Sequence, residues 1–144
     1  MEGSNTILVP IDFQDASLEA LATARDLARR LGLEVVLLHT FAIPVVVYPG
    51  FDPIIAPGFP QEMETTAKCA LEQFAAEHGI QQTILRAGDP ATEILKVAEE
   101  IHPMLVAMGT HGRKGFAHWF LGSVAEEVVR SSTVPVMTVH AKPH

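Results

Sequence analysis

Apolar and polar residues alternate in blocks along the chain, and each block predicts a strand or a helix. Compact apolar runs are typical of strands buried in a sheet, and apolar residues three and four positions apart are typical of amphipathic helices. The runs predict strands at 6–11, 35–38, 80–86, 104–108 and 134–139. The helical stripes comprise Leu18, Leu21, Ala24, Ala28 and Leu31, then Met63, Ala67, Leu71 and Phe74, then Ile94, Leu95, Ala98 and Ile101, and last a segment that begins at Val124.

Five predicted strands and four predicted helices alternate strictly along the chain. Connections of this length join parallel strands, and their helices cover both faces of the sheet. The fold class is therefore α/β, with one five-stranded parallel sheet for which the common order is 3-2-1-4-5. At 144 residues the chain suits a single domain that spans 1–144.

Particular residue types mark the ends of several predicted elements. Asp15 is expected to cap the first helix, and Gly32 to end it. Gln81 and Gln82 make the third strand polar, and Pro135 lies within the fifth. The third strand is therefore expected at an edge of the sheet or in a partly exposed position, and the fifth strand at an edge.

The fifth predicted strand has a further consequence for assembly. An apolar edge strand that is left bare invites pairing with another chain. A homodimer joined through 134–139 is therefore expected.

Residues 41–60 interrupt the alternation of strands and helices. Five prolines exclude a continuous helix; they are Pro44, Pro49, Pro53, Pro57 and Pro60. The segment is nevertheless apolar, with Val45, Val46, Val47, Tyr48, Phe51, Ile54, Ile55 and Phe59. A solvated loop is rarely so apolar, so the segment is expected to lie against its own domain, a subunit partner or a ligand.

The clearest chemical signal follows the fourth predicted strand. The chain reads Gly109-Thr110-His111-Gly112, then nine residues, then Gly122-Ser123, with a helical pattern after it. Such a loop presents backbone N–H groups to an anion, and a phosphate can approach the main chain closely only where no Cβ blocks it. In the order 3-2-1-4-5 the first and fourth strands are neighbours, so Asp12 and Gly109 are expected to face each other across one crevice.

The glycine string is neither a Walker A loop nor a Gly-x-Gly-x-x-Gly fingerprint. It still predicts a phosphate-bearing nucleotide as the ligand. Replacing Gly109 or Gly122 with valine is expected to abolish binding and to leave the protein folded.

The charge of the chain limits the classes of ligand that it can bind. The formal net charge is −7, which argues against nucleic acid because binding its backbone needs a basic face. An anionic ligand must therefore be attracted locally, by backbone dipoles and by Arg113 and Lys114.

The first residues have no signal-peptide pattern, and no apolar run is long enough to span a membrane. Cys69 is the only cysteine; it is expected to be a buried, inert thiol, which fits a cytoplasmic location.

The string Gly109-x2-Gly112-x9-Gly122-Ser123 resembles the ATP-binding motif of the universal stress protein family. Three further segments carry the same resemblance: Ile7-Leu8-Val9-Pro10-Ile11-Asp12, Val36-Leu37-Leu38-His39 and Val134-Pro135-Val136. It covers essentially the whole chain. It implies a Rossmann-like fold of the adenine nucleotide alpha hydrolase type and a homodimer through the last strands. It also implies bound ATP, ADP or AMP, with Mg²⁺ or Mn²⁺ carried by the nucleotide.

The resemblance implies a nucleotide site with three parts. The adenosine side comprises Pro10, Ile11, Asp12 and the backbone of Thr40. The ribose and first phosphates are bordered by Met108, Gly109 and Gly112. The outer phosphates are held by Gly122, Ser123, Val124 and Ala125, and His111 and Arg113 complete the predicted set.

Each polar candidate also has an ordinary structural interpretation. Asp12 can bind a ribose hydroxyl or an adenine amino group, or it can close the turn before the first helix. Ser123 and Glu126 have the spacing of a capping box, which stabilises a helix start without any ligand. Arg113 can clamp a phosphate or lie exposed in solvent. His39 is expected to be a hydrogen-bonded core histidine rather than a base.

Several functions stay open at this point. The leading one is a regulatory ATP-binding protein of the stress response, because no nucleophile–base pair or paired carboxylate is evident near the loop. A slow ATP hydrolase is the enzymatic alternative. A third is an interaction module that binds an unknown protein through 41–60 without nucleotide. A flavin-binding protein is the least favoured.

Overall fold

The apolar runs of the sequence form one parallel sheet. A computed structural model describes residues 4–55, 58–110 and 121–141. The strands are β1 (Ser4–Pro10), β2 (Glu34–Phe41), β3 (Val45–Val46), β4 (Ile54–Ile55), β5 (Gln82–Ala87), β6 (Pro103–Gly109) and β7 (Val136–Val139). The helices are α1 (Asp15–Leu31), α2 (Phe59–Glu77), α3 (Pro90–Ile101) and α4 (Ser123–Ser131).

The sheet strands run parallel in the order β5-β2-β1-β6-β7. Counted along the chain, these are the third, second, first, fourth and fifth strands of the sheet, so the predicted order is confirmed. Both strands predicted to lie at edges do so. The sequence pattern does not predict β3 and β4, which form a separate antiparallel pair.

The last strand is shorter than the sequence pattern predicts. It begins at Val136, and Pro135 lies just before it. The carbonyl oxygen of Pro135 still accepts a hydrogen bond from the Val106 N–H at 2.9 Å. A proline has no N–H to donate to a ladder, so it joins the sheet only as an acceptor at the strand's entrance.

Alternate residues of each strand enter two separate hydrophobic cores, one on each face of the sheet. Ile7 and Val9 of β1 pack in the core beneath α1 and α2, whereas Leu8 packs in the core beneath α3 and α4. All three side chains are fully buried. Helices thus cover both faces of the sheet, as predicted.

Helix α1 packs on the sheet mainly through alanines. Ala20 and Ala24 are completely buried, together with Leu21. Leu18 and Leu31, which the spacing places in the same stripe, are exposed, and Leu31 keeps 55% of its surface accessible. Small side chains let a helix approach the strands closely, so the larger leucines at the margin of the stripe stay outside.

Two helix starts differ from the prediction. The N-cap of α1 is Gln14, and Asp15 is already the first helical residue. The turn before α1 is closed instead by Asp12, whose carboxylate accepts from the Gln14 N–H at 2.9 Å. The N-cap of α4 is Gly122, which has no side chain that could cap the helix. Because Ser123 is itself the first helical residue, the predicted capping box does not form.

The prediction of a buried Cys69 is wrong, because the thiol lies on the exposed side of α2. The buried side of this helix carries Ala67, Leu71 and Ala75. Residues two positions apart do not share a helix face, so Cys69 points away from the core.

Residues 45–55 form a small hairpin that joins β2 to α2. Val45 lies opposite Ile55, and Val46 opposite Ile54. Its exposed apolar side chains are Val45, Val46, Val47, Tyr48, Phe51, Ile54 and Ile55. Of the three alternatives expected for this segment, contact with its own domain leaves these seven side chains exposed, so a subunit partner or a ligand stays open as their cover.

Candidate functional site

A cavity of about 420 Å³ opens at the carboxyl edge of the sheet, next to the ends of β1 and β6. These two strands are neighbours, with Ile7 opposite Leu105 and Leu8 opposite Val106. The chain leaves β1 toward α1 and leaves β6 toward α4, so the winding direction reverses between them. The cavity is lined by Pro10, Ile11, Asp12, Ala16, Ser17, Leu38, Thr40, Pro90, Ile94, Met108, Gly109, Thr110, Gly122, Ser123, Val124 and Ala125.

The structure brings every described residue of the predicted nucleotide set to this one cavity. These residues are Pro10, Ile11, Asp12, Thr40, Met108, Gly109, Gly122, Ser123, Val124 and Ala125. In particular, Asp12 and Gly109 border the same crevice, as the strand order predicts. His111, Gly112, Arg113 and Lys114 lie outside the described residues.

Sequence reasoning missed six lining residues: Ala16, Ser17, Leu38, Pro90, Ile94 and Thr110. Most of them come from the starts of α1 and α3, which follow sheet strands at the same edge as α4. The signal that could have found them is topological: helices that begin at the carboxyl edge of a parallel sheet surround the crevice there. Thr110 continues the glycine string and is buried.

Asp12 is an exposed carboxylate held in a tight turn. Its Oδ1 accepts from the Gln14 N–H at 2.9 Å, and its own N–H lies 3.4 Å from the Ser17 hydroxyl. The Ser17 hydroxyl in turn donates to the Gln14 carbonyl at 2.9 Å. The turn-closing interpretation of Asp12 is thus correct, but a carboxylate has capacity for several hydrogen bonds. Its second oxygen can still accept from a ligand.

A bulky residue adopts an unusual backbone conformation directly after Asp12. Phe13 has φ 64°, a left-handed conformation that is rare for large side chains. Its ring lies 4.8 Å from the His39 ring and 5.3 Å from the Phe74 ring, centroid to centroid. The His39 Nδ1–H donates to the Ile11 carbonyl at 2.9 Å, since a carbonyl can only accept. His39 is therefore a hydrogen-bonded structural histidine, as predicted, although it is half-buried and not part of the core. These contacts fix the turn at the cavity wall.

The start of α4 forms the opposite wall. Gly122 has the extended conformation φ −65°, ψ 161°, and its N–H donates to the Thr110 carbonyl at 2.6 Å. The Gly122 carbonyl then accepts from the Glu126 N–H at 2.8 Å, which starts the helical ladder. The N–H groups of the three residues between them have no partner within the helix. They carry the positive end of the helix dipole to the cavity.

The described residues offer no ready-made metal centre, and none of their helices could cross a bilayer. No three His, Cys, Asp or Glu side chains come together within 4–55, 58–110 and 121–141. None of the helices in those ranges is both long and apolar enough to span a membrane. Asp12 is the only carboxylate among the cavity's described lining residues.

Comparison with known proteins agrees with this architecture. The profile of the universal stress protein family matches residues 3–140. Universal stress protein YxiE of Bacillus subtilis is 34% identical over 145 residues, which cover 94% of this chain and 98% of that one.

Solved structures share the fold. The universal stress protein UspA from Lactobacillus plantarum superimposes with a TM-score of 0.75 at 22% identity, over 96% of this chain and 99% of that one. A universal stress protein solved in complex with cAMP superimposes with a TM-score of 0.63 at 23% identity, over 98% and 100% of the two chains. From the family match and the close relative, the chain belongs to the universal stress protein family.

Proposed function

We propose that this protein binds ATP, or another adenine nucleotide, in the cavity between β1 and β6. We further propose that the bound nucleotide controls conformation or partner choice in a stress response. The proposal rests mainly on one observation: an apolar pocket and a helix N-terminus with glycine as its N-cap lie in the same cavity. A nucleotide needs those two environments side by side, one for its base and one for its phosphates.

The base side of the proposed site is apolar. Ile11, Leu38 and Met108 are nearly or fully buried residues that line the cavity. A volume of about 420 Å³ falls within the range of small-molecule sites. In this arrangement Asp12 accepts a hydrogen bond from a ribose hydroxyl or the adenine amino group, and the Thr40 backbone meets the edge of the ring.

The phosphate side is the first turn of α4. The backbone N–H groups of Ser123, Val124 and Ala125 point out of the helix start, and the helix dipole favours negative charge there. This local attraction is what a ligand with several negative charges requires on a chain whose net charge is −7. His111, Gly112 and Arg113 belong to the proposed site on the resemblance alone.

A divalent cation fits the proposed site only when it is bound to the phosphates of the nucleotide. Mg²⁺ keeps several waters and is usually held by one or two carboxylates together with substrate phosphates. Asp12 is the one carboxylate among the lining residues that the structure describes. In the proposal, Mg²⁺ or Mn²⁺ is therefore coordinated mainly by phosphate oxygens and partly neutralises them.

The fold neighbour solved with cAMP raises a competing ligand. Its identity to this chain is 23%, so it contributes the fold and not the choice of ligand. A cyclic nucleotide has one phosphate and would use less of the α4 N-terminus than ATP does. Comparing ATP, ADP, AMP and cAMP therefore measures how much of the affinity comes from the outer phosphates.

The proposed output is regulatory rather than rapidly catalytic. Phosphoryl transfer needs a group that orients the attacking oxygen, and the described lining residues offer Asp12 alone for that task. A slow ATP hydrolase is the alternative. Turnover on the order of 1 s⁻¹ or faster with ATP and Mg²⁺ would make the protein an enzyme and contradict the regulatory proposal.

We also propose a homodimer through β7, the bare edge strand at Val136–Val139. Its four residues are half-buried within one chain. Pairing with the same strand of a second copy would satisfy the backbone groups of that edge.

One pair of variants tests the phosphate contact directly. Ser123 is the first helical residue, and Gly122 before it has the extended conformation that precedes proline. Ser123→Pro therefore removes one N–H donor from the helix start and keeps the helix, whereas Ser123→Ala removes only the hydroxyl. Calorimetric titration with ATP should show a much larger loss of affinity for Ser123→Pro than for Ser123→Ala.

Mass spectrometry of ligands released on denaturation provides an independent check. Adenine nucleotide should be released from the wild-type protein. If wild-type protein releases none and ATP does not raise its unfolding temperature, the proposal is wrong, and the interaction-module alternative is favoured.

A further inference from the structure

We infer that the hairpin of residues 45–55 is a self-association surface, and that its occupant is the same hairpin of a second copy of this chain. The surface is separate from β7, and the inference does not depend on the proposed nucleotide site. It rests on the hairpin's geometry, exposure, charge and area.

The hairpin has a defined backbone. The Phe51 N–H donates to the Tyr48 carbonyl at 3.1 Å and closes a turn. Pro49 and Gly50 occupy the two central positions, and Gly50 has φ 83°. Proline followed by a residue with positive φ is the signature of a type II turn. The sequence thus specifies a defined turn in the loop between β3 and β4.

The exposed apolar side chains are concentrated in this hairpin. Eleven large apolar side chains are exposed in the described parts of the chain, and seven of them lie within 45–55. Val45 and Val46 point to opposite faces of β3, yet both are more than 40% exposed. A two-stranded hairpin is at best marginally stable on its own in water, so a hairpin with two bare apolar faces requires a cover.

The charge distribution favours a second copy as that cover. Asp52 is the only charged residue in 41–60, while the chain as a whole carries a net charge of −7. Two copies repel each other over most of their surfaces, but a nearly neutral hairpin can meet itself without that repulsion. A basic or acidic partner would find almost no charge here to recognise.

The area suits a small dimer contact. The seven side chains together expose on the order of 700 Å² over both faces of the hairpin. A contact through one face and its edge therefore covers part of this area, and is smaller than the ~800 Å² that each partner contributes to a standard interface. In the described residues β3 and β4 pair only with each other, so each also has an outer edge whose backbone groups can pair with another strand. A contact of hairpin with hairpin about a two-fold axis covers both features, because the same patch then serves both copies.

Sedimentation equilibrium of a matched pair of variants tests the inference. Val47→Lys adds a positive charge to the hairpin at a side chain that is 67% exposed. Leu31→Lys adds the same charge at a side chain that is 55% exposed but lies at the end of α1. We expect the mass of Val47→Lys to be about twofold lower than that of the wild type at the same concentration, and that of Leu31→Lys to be unchanged. The same ratio holds if β7 also joins copies and the four copies form a closed tetramer, since the tetramer then becomes a dimer.

Amide hydrogen exchange locates the contact. The amides of residues 45–55 should exchange more slowly as the wild-type concentration rises, and at a constant rate in Val47→Lys. Phe51→Lys repeats the experiment if thermal unfolding shows that Val47→Lys is not folded.

Three results would overturn the inference. One is equal mass for Val47→Lys and the wild type, and another is a wild-type monomer at every concentration. The third is exchange of the wild-type amides at 45–55 that slows when phosphatidylcholine vesicles are added but not as the protein concentration rises, which would assign the surface to lipid.

Discussion

Gly109 and Ala16 touch so closely that the glycine has no room for a side chain. A Cβ on Gly109 would stand 2.5 Å from the carbonyl carbon of Ala16 and 2.7 Å from its carbonyl oxygen. Real Cβ atoms do not approach backbone atoms so closely. The last residue of β6 is therefore a contact point for the first turn of α1, and the glycine lets that helix begin beside the strand.

Because of this contact, a Gly109→Val variant would test helix packing as well as ligand binding. The valine side chain would first collide with α1, so Gly109→Val is not a clean test of ligand binding, contrary to the expectation from the glycine string. We predict that even Gly109→Ala lowers the free energy of unfolding by about 1–3 kcal/mol, the usual range for overpacking. Urea denaturation measures this loss.

Gly32→Ala is the control, because it replaces a glycine with alanine at a position where no neighbouring atom is close. Gly32 has φ 69°, and a Cβ there would meet no heavy atom within 4 Å, so alanine costs only backbone strain. That cost is about 1–2 kcal/mol. An unfolding free energy for Gly109→Ala within error of the wild type would contradict the close contact.

Much of the fold follows from local sequence patterns. Apolar runs and helical spacing give the strands, their parallel order and the two-sided helix cover, because each rests on burial that the sequence encodes directly. Details that depend on neighbours in space do not follow. Cys69 and Leu31 are exposed because of the side that each helix turns toward the sheet. Gln14 is the N-cap of α1 in place of Asp15 because Asp12 makes the turn before the helix.

The candidate site is predictable to the extent that topology fixes it. The meeting of Asp12 with the glycine string follows from the order of two strands. Contacts through space are harder to anticipate. Nothing in the sequence indicates that Ala16 backs onto Gly109, or that His39 and Phe74 flank Phe13.

Gly122 is the cleaner position for a blocking substitution. Its φ of −65° and ψ of 161° are open to any residue, so valine fits the backbone. The new side chain would lie at the start of α4, where the proposed phosphates approach. We predict that Gly122→Val lowers ATP affinity at least tenfold, which corresponds to about 1.4 kcal/mol, and leaves the urea midpoint close to that of the wild type.

Calorimetric titration with ATP and urea denaturation of the same preparation separate the two effects of Gly122→Val. Gly122→Ala serves as the intermediate variant, since a methyl group blocks less space. Tight ATP binding by Gly122→Val would contradict the proposed location of the phosphates.

Phe13 gives a prediction about backbone strain. At most positions alanine is more favourable than glycine, but a φ of 64° reverses that order. Removing the ring also removes its contacts with His39 and Phe74. We therefore predict the stability order wild type, then Phe13→Gly, then Phe13→Ala, with the two variants separated by about 1 kcal/mol. Urea denaturation of all three proteins checks it, and a Phe13→Ala variant more stable than Phe13→Gly would refute it.

The N-cap of α3 gives a prediction about pH. The Asp89 carboxylate accepts hydrogen bonds from the Thr92 N–H at 3.0 Å and from the Thr92 hydroxyl at 2.8 Å. These two hydrogen bonds hold the pKa of Asp89 below its ordinary value of 3.8, and the bond from the Thr92 N–H has the larger effect. A pKa that is lower in the folded than in the unfolded protein adds stability above 3.8, and this stability is lost as the pH falls below that value.

Asp89→Asn isolates this titration, because asparagine is an equally good N-cap and carries no charge. The wild type should exceed Asp89→Asn in unfolding free energy at neutral pH, and the difference should shrink as the pH falls below 3.8. Urea denaturation of both proteins across that range measures the difference. If the difference were constant with pH, the carboxylate would not be stabilised by Thr92, and the cap would act through its geometry alone.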